Sequence, residues 1–230
     1  MQKTLDEKLA RIIADPSCND FILADAKDAD MAYGLAAPGL KPHPADDKSP
    51  FKSIQDYRAN IRAVVQQGLV DIMLMSVSTS DVLTFRERLF EHSRITPAIR
   101  SNDTSCLWLY GTSAAYCSQP SRPFRTAIID EAIGANANGL IAAGQPQLNL
   151  GLYSITLNND VKLDHAAHTA FRAFREEAWR KGFRYFLEVF PPNAPVNPIK
   201  DVPRFVNDSI VRMLAGAGVA TRPLFLKIPY

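Results

Sequence analysis

Six short apolar runs, several of them closed by polar residues, constrain what this chain can fold into. They lie at residues 21–24, 70–75, 95–100, 148–157, 183–190 and 225–228. Their side chains are apolar throughout rather than alternating with polar ones, and helical patterns stand between most of them. Strands of that kind form parallel sheets covered on both faces. Polar clusters follow the runs on the same, carboxyl side: residues 25–30, 76–80, 100–104 and 158–160. That is where α/β barrels carry their chemistry. A doubly wound sheet would also fit, but no glycine-rich phosphate turn follows the first run. The expected fold is therefore a TIM (β/α)8 barrel, a single domain over residues 1–230, with about six strand–helix units present.

A closed eight-stranded barrel needs two more units, and six strands alone would leave open edges. The expectation is a fragment lacking strands seven and eight, or a fold completed by something else. The 230 residues, 47% hydrophobic and 22% charged, can bury a large core. A net charge of +2 makes no electrostatic case for nucleic acid or a membrane surface. Cys18, Cys106 and Cys117 show neither metal spacing nor a disulfide framework, which suits a reducing cytoplasm. The chain opens on an amphipathic pattern, and no run of about 18 apolar residues spans a membrane.

Local signals place the helices. Thr4 and Glu7 offer a capping box for a first helix, which Asp15 and Pro16 stop. Ser53 to Gly68 reads as a helix with a glycine C-cap. Ser76 to Ser80 cap a helix over 81–92, and Ser121 and Pro123 start one through 126–137. Asp164 opens another to Lys181, and a last one covers 202–217. Residues 38–50 form an exposed loop, and residues 105–122 a long connection holding Trp108 and Tyr110.

Lys227 is the first candidate for chemistry. It sits in what reads as a buried strand, where an ammonium is costly unless paired or neutralised. A desolvated amine is a nucleophile toward carbonyls and could form a Schiff base. With a period of two, Phe186, Glu188 and Phe190 share a face, and so do Phe225, Lys227 and Pro229. Inward-pointing faces would put Glu188 beside Lys227, as a general acid/base or as a structural ion pair. Asp25 and Lys27, at the end of strand one, could take a proton from a substrate hydroxyl and hold a substrate oxygen. Arg100 could bind a phosphate or carboxylate, or pair with Asp103. Asn158 and Asn159 could bond substrate hydroxyls, or form a turn. His165 and His168 stand three apart on a helix without an acidic partner, so no metal is expected. Arg122 and Arg125 flank a helix start that could hold an anion.

An aspartate ending strand one (Asp25), a glutamate on strand five (Glu188) and a lysine on strand six (Lys227) resemble the class I aldolases of the DeoC/FbaB/LacD type. Residues 21–29, 150–160, 186–190 and 222–230 look like bacterial members of that superfamily. The resemblance implies a (β/α)8 barrel, a Schiff base on Lys227 and no cofactor or metal. It also implies that Glu188 and Asp25 handle protons. The expected activity is that of a cytoplasmic carbon–carbon lyase acting on a sugar phosphate or keto-sugar carbonyl, with homo-oligomerisation by analogy alone. The alternatives are a non-catalytic sugar- or partner-binding barrel with Lys227 and Glu188 as an ion pair, and a metal-dependent lyase.

Overall fold

The computed structural model describes residues 1–42, 49–104 and 118–229. Trp108, Tyr110, Cys106, Cys117 and part of the 38–50 loop lie outside the described residues. The fold is mixed α/β, and the strands of its sheets run largely in parallel. The chain divides into two compact units, Met1–Ile99 with Asp130–Leu148, and Arg100–Ile129 with Asn149–Tyr230. Among the described residues no helix is long and apolar enough to cross a membrane.

In the first unit, β1 (Ala24–Lys27), β2 (Ile72–Met75) and β3 (Thr96–Arg100, whose last residue opens the second unit) pair in parallel in that order. Every residue of β2 and β3 is buried, whereas β1 is half-exposed to exposed. Asp71 ties the start of β1 to that of β2. Its buried carboxylate accepts from Leu23 N at 2.8 Å and pairs with Lys8 Nζ at 2.7 Å. The strand thus starts at Ala24, three residues later than the apolar run 21–24 suggests, and Asp25 and Lys27 lie within it.

The helix Ile54–Gln67 forms as expected. Ser53 and Asp56 make a reciprocal capping box, and Gly68 closes the helix at φ 69°, where a Cβ would be strained. Its Tyr57, Ile61 and Val65 pack with Met73, Met75, Leu83 and Phe90. Two local readings need correction. The first helix, Thr4–Ala14, has no side-chain cap, because Glu7 bonds Arg94 at 2.5 Å instead. Ser76 does cap by accepting from Thr79 N, but the helix begins at once, at Val77–Ser80, and Asp81–Arg86 winds as a π-helix. The wider turn brings Asp81 and Arg86, five apart, to 2.6 Å.

In the second unit, β4 (Asp103–Thr104) and β5 (Pro123–Phe124) form an antiparallel pair. The expected helix over 126–137 is cut to Ile129–Ala132, of which only Ile129 belongs to this unit. Pro123 and Phe124 are taken by β4, and the Asp103 carboxylate accepts from both Thr126 N, at 2.7 Å, and Thr126 Oγ1, at 2.8 Å. Then come β6 (Leu150–Thr156), β7 (Arg184–Phe190) and β8 (Leu226–Lys227), with β7 parallel to both of the others. The helix Val161–Arg180 starts three residues earlier than the pattern suggested, because Asp160 caps it by accepting from Leu163 N. The last long helix is Val202–Ala215.

Alternation along β6 and β7 separates two environments. Tyr153 and Tyr185 point to the long helix and meet Phe171 and Phe174, with ring centroids 4.6–6.0 Å apart. Ser154, Phe186 and Glu188 point to the opposite face. Gly151 lets β6 lie close to its neighbours, since a Cβ there would stand 2.1 Å from Ser101 Oγ and 2.6 Å from the Phe183 ring.

Phe174 sits at the centre of the aromatic cluster. Phe174→Ala should cost about 3–5 kcal/mol, and Val211→Ala, on the exposed side of a helix, less than about 0.5 kcal/mol. Urea unfolding midpoints check this; equal shifts for the two variants would contradict it.

Candidate functional site

The arrangement with the most chemical content rests on one register. Ser154 of β6 is level with Glu188 of β7, and Glu188 is level with Lys227 of β8. In parallel strands, level residues point to one face, so three polar side chains from distant parts of the sequence stand in a row. Glu188 is 5% exposed. Its Oε1 meets Lys227 Nζ at 2.5 Å, and its Oε2 accepts from Ser154 Oγ at 2.8 Å. Arg100 Nη1 donates to the same Ser154 oxygen at 2.9 Å, and Arg100 Nη2 stands 3.7 Å from Glu188 Oε2. Hydrogen bonds therefore run from Arg100 through Ser154 to Glu188, and an ion pair continues to Lys227.

Asn102 holds that chain in place. Its side-chain oxygen accepts from Ser154 N at 2.7 Å, and its amide donates to Ser154 O at 2.8 Å. The side chain thus copies a strand's hydrogen bonding beside β6. The buried carboxylate has partners on both oxygens, as a buried charge requires.

Lys227 differs from its reading as part of a buried strand. β8 has two residues and, among the described residues, pairs with β7 alone. Leu226 is 39% exposed, Ile228 50%, and the Lys227 side chain 52%. Burial is thus not what would prepare this amine. The group positioned to act on it is the Glu188 carboxylate.

The other expected residues are placed as follows. Asp25 and Lys27 pair with each other at 3.3 Å on one face of β1 in the first unit. Arg100 ends β3 and is buried against Ser154 and Glu188. Asn158, 1% exposed, clamps the chain at Ser121, accepting from its N at 2.7 Å and donating to its O at 2.9 Å. Asn159 adopts a left-handed φ of 53° and donates to the carbonyls of Asn197 and Pro198. Asn158 thus ties two distant segments together, and Asn159 turns the chain. Arg125 is engaged by Glu177. Among the described residues no group of three or more His, Cys, Asp or Glu side chains could hold a metal.

The sequence reading passed over Ser154 and Asn102. The only available signals were a serine inside an apolar strand and an asparagine just past one. In the first unit, Asp30 is half-buried. Asp30 Oδ2 accepts from Ser76 Oγ at 2.5 Å and Thr79 Oγ1 at 3.2 Å, while Oδ1 is buried with no hydrogen-bond partner. Burial pushes its carboxyl above the ordinary range, against the two hydroxyls, and the charge of Asp28 adds to the rise. Nearby, Ala29 N donates to the Tyr57 hydroxyl at 3.2 Å. Burial, and then the Asp30 charge, push that phenol upward as well.

Comparison with known proteins gives no match among family models, curated proteins or solved structures.

Because the folded-state pKa of Asp30 is raised, its contribution to stability is greatest below the ordinary carboxylate range and is lost as pH rises through the raised value. Asp30→Asn should therefore unfold at higher denaturant than the parent at pH 7, with the difference closing toward about pH 4. Denaturation at the two pH values checks this; a gain that widens on acidification would contradict it.

Proposed function

We propose that this chain is a class I aldolase-like carbon–carbon lyase on a (β/α)8-type barrel, with Lys227 as the amine that attacks the substrate carbonyl. The observation that carries the reading is the 2.5 Å contact between Lys227 Nζ and a buried Glu188 carboxylate, at the carboxyl end of parallel strands. A half-exposed amine is accessible to a carbonyl compound, and a buried carboxylate beside it can move protons without itself reaching solvent.

In this mechanism Glu188 takes a proton from the Lys227 ammonium, and the free amine adds to the carbonyl carbon. Glu188 then returns the proton to the carbinolamine oxygen, which leaves as water, and an iminium forms. A base removes the proton of the substrate hydroxyl one carbon beyond the neighbouring position. The carbon–carbon bond breaks, an aldehyde departs, and the bonding pair is held as an enamine. Protonation of the enamine and addition of water free the second product and restore Lys227. By the resemblance, Asp25 is the base toward the hydroxyl, with Lys27 beside it. Arg100 and Ser154 hold Glu188 Oε2, so that Oε1 faces the amine. Neither metal nor cofactor is needed for these steps. A sugar phosphate or related keto-sugar is the substrate class that fits.

The full set of partners around Glu188 also supports the second reading, a binding barrel in which Glu188 and Lys227 form a structural ion pair. Lys227→Ala separates the two. Because Lys227 is half-exposed, its loss should cost only about 0–1 kcal/mol of stability, while Glu188 keeps Ser154 and Arg100.

Incubation with a panel of ketose and aldose phosphates and unphosphorylated sugars, followed by borohydride, intact mass and peptide mapping, should give a stable adduct on Lys227. The adduct should be absent in Lys227→Ala, and turnover should survive a chelator. No adduct on Lys227 with any carbonyl compound, from a folded protein, would favour the binding barrel.

A further inference from the structure

Between the helices Val161–Arg180 and Val202–Ala215 the second unit holds a hollow of about 740 Å³. That volume falls inside the range of pockets that take small-molecule ligands, about 300–1,000 Å³. Its floor is apolar. Leu157, Phe171 and Met213 line it and are buried, and Phe205 lines it half-buried. Phe171 also meets Tyr153 and Tyr185 on the helix side of the sheet, whereas Ser154 and Glu188 point to the other side. The hollow is therefore separate from the candidate site.

The charged groups on its wall are unequally engaged. The two carboxylates, Asp160 and Asp164, are taken up by the backbone at the start of the long helix. Asp160 accepts from Leu163 N at 2.8 Å, and Asp164 accepts from Asn158 N at 2.7 Å and from Asp160 N at 3.1 Å. Arg212 differs. It lines the hollow from the other helix, and among the described residues it makes no hydrogen bond or ion pair. His165 and His168, three apart on the long helix, line the same hollow. Burial lowers the proton affinity of His168; Asp164 raises it, and Arg212 and His165 lower it. Arg212 thus comes within electrostatic reach of His168 from across the hollow. A guanidinium and two imidazoles over an apolar floor, with the nearby carboxylates already bonded, complement an anion that carries an apolar body. Arg212 offers a fork for two oxygens, and each imidazole can donate an N–H.

We infer that this hollow binds a small molecule with an apolar body and one phosphate or carboxylate, its anion held by Arg212, His165 and His168 and its body resting on Phe205 and Met213. The volume admits the whole of such a ligand, and the few polar groups on an apolar lining are what fix its orientation. On the helix side of the sheet the ligand does not touch Glu188 or Lys227. It occupies a second site, which stands whether or not Lys227 forms an imine.

Isothermal titration of the full chain with phenyl phosphate and, separately, with phenylacetate, at constant ionic strength, tests this and tells the two anions apart. Inorganic phosphate and benzyl alcohol supply the anion and the ring alone. Saturable binding of at least one aromatic anion is expected, at least about tenfold tighter than either half, because the ring adds buried apolar area and the anion adds charged hydrogen bonds. Arg212→Ala should weaken it at least about tenfold, as expected for loss of a charged hydrogen-bonding group. Arg212 is exposed, so the variant should fold; Arg212→Lys, which keeps the charge but not the fork, should also weaken binding and serves if it does not. Lys227→Ala leaves the affinity unchanged. No saturable binding of either aromatic anion would overturn the inference. So would equal affinity in the Arg212 variants, inorganic phosphate binding as tightly as phenyl phosphate, or loss of binding in Lys227→Ala, which would place the ligand at the other site.

Discussion

One buried carboxylate organises the second unit. Glu188 lies two residues from the carboxyl end of β7, level with a residue of each neighbouring strand. A lone charge there would cost several kcal/mol, so the surroundings are built to satisfy it. Ser154 supplies a hydroxyl from β6, Lys227 an ammonium from β8, and Arg100 a guanidinium from the end of β3. Asn102 fixes Ser154 by both its backbone groups. Remove Glu188, and the Ser154 hydroxyl and the Lys227 ammonium lose the carboxylate they share. Remove Lys227, and the carboxylate still has two partners. The pair is therefore asymmetric: the Glu188 side chain is buried, whereas that of Lys227 is half in water.

The aromatic face of the same strands makes the site rigid. Tyr153 and Tyr185 are locked against Phe171 and Phe174 on the helix side, which fixes the strand positions of Ser154 and Glu188 to within a side-chain contact. On the polar face, Phe186 stacks on Phe225 at 4.9 Å and aligns β8 with β7 two residues before the ion pair. A carboxylate held this way needs no rearrangement to meet its partner, which is what the proposed proton transfer would draw on.

Much of this was legible in the sequence because it is local or periodic. Unbroken apolar runs announced parallel strands, and Ser53 and Gly68 announced a helix that forms between them. Period-two alternation put Glu188 and Lys227 on faces that could meet. What was not legible depends on register and neighbours. That Ser154 lies level with Glu188, and that Asn102 reaches Ser154, follows from strand pairing across more than thirty residues of sequence. The exposure of Lys227 follows from β8 having one neighbour among the described residues, which no property of residues 225–228 reveals. Asn158 and Asn159 were ambiguous by residue type, and a distant serine and proline decided their roles. The helix expected after Ser121 was lost to a competing strand pair and to the carboxylate of Asp103.

The central claim is that Glu188 and Lys227 work as a proton-transferring pair and not as a structural tie. The most direct measurement is the rate at which a single reactive aldehyde is trapped on Lys227 by cyanoborohydride, in the parent and in Glu188→Gln, with Lys227→Arg as the blank. Glu188→Gln keeps the shape and the bond to Ser154 but cannot carry a proton. The account predicts trapping slower by about 100-fold or more, the scale of a positioned acid–base group. Equal rates in the folded parent and variant would show that the carboxylate takes no part in the chemistry, and the claim would fall.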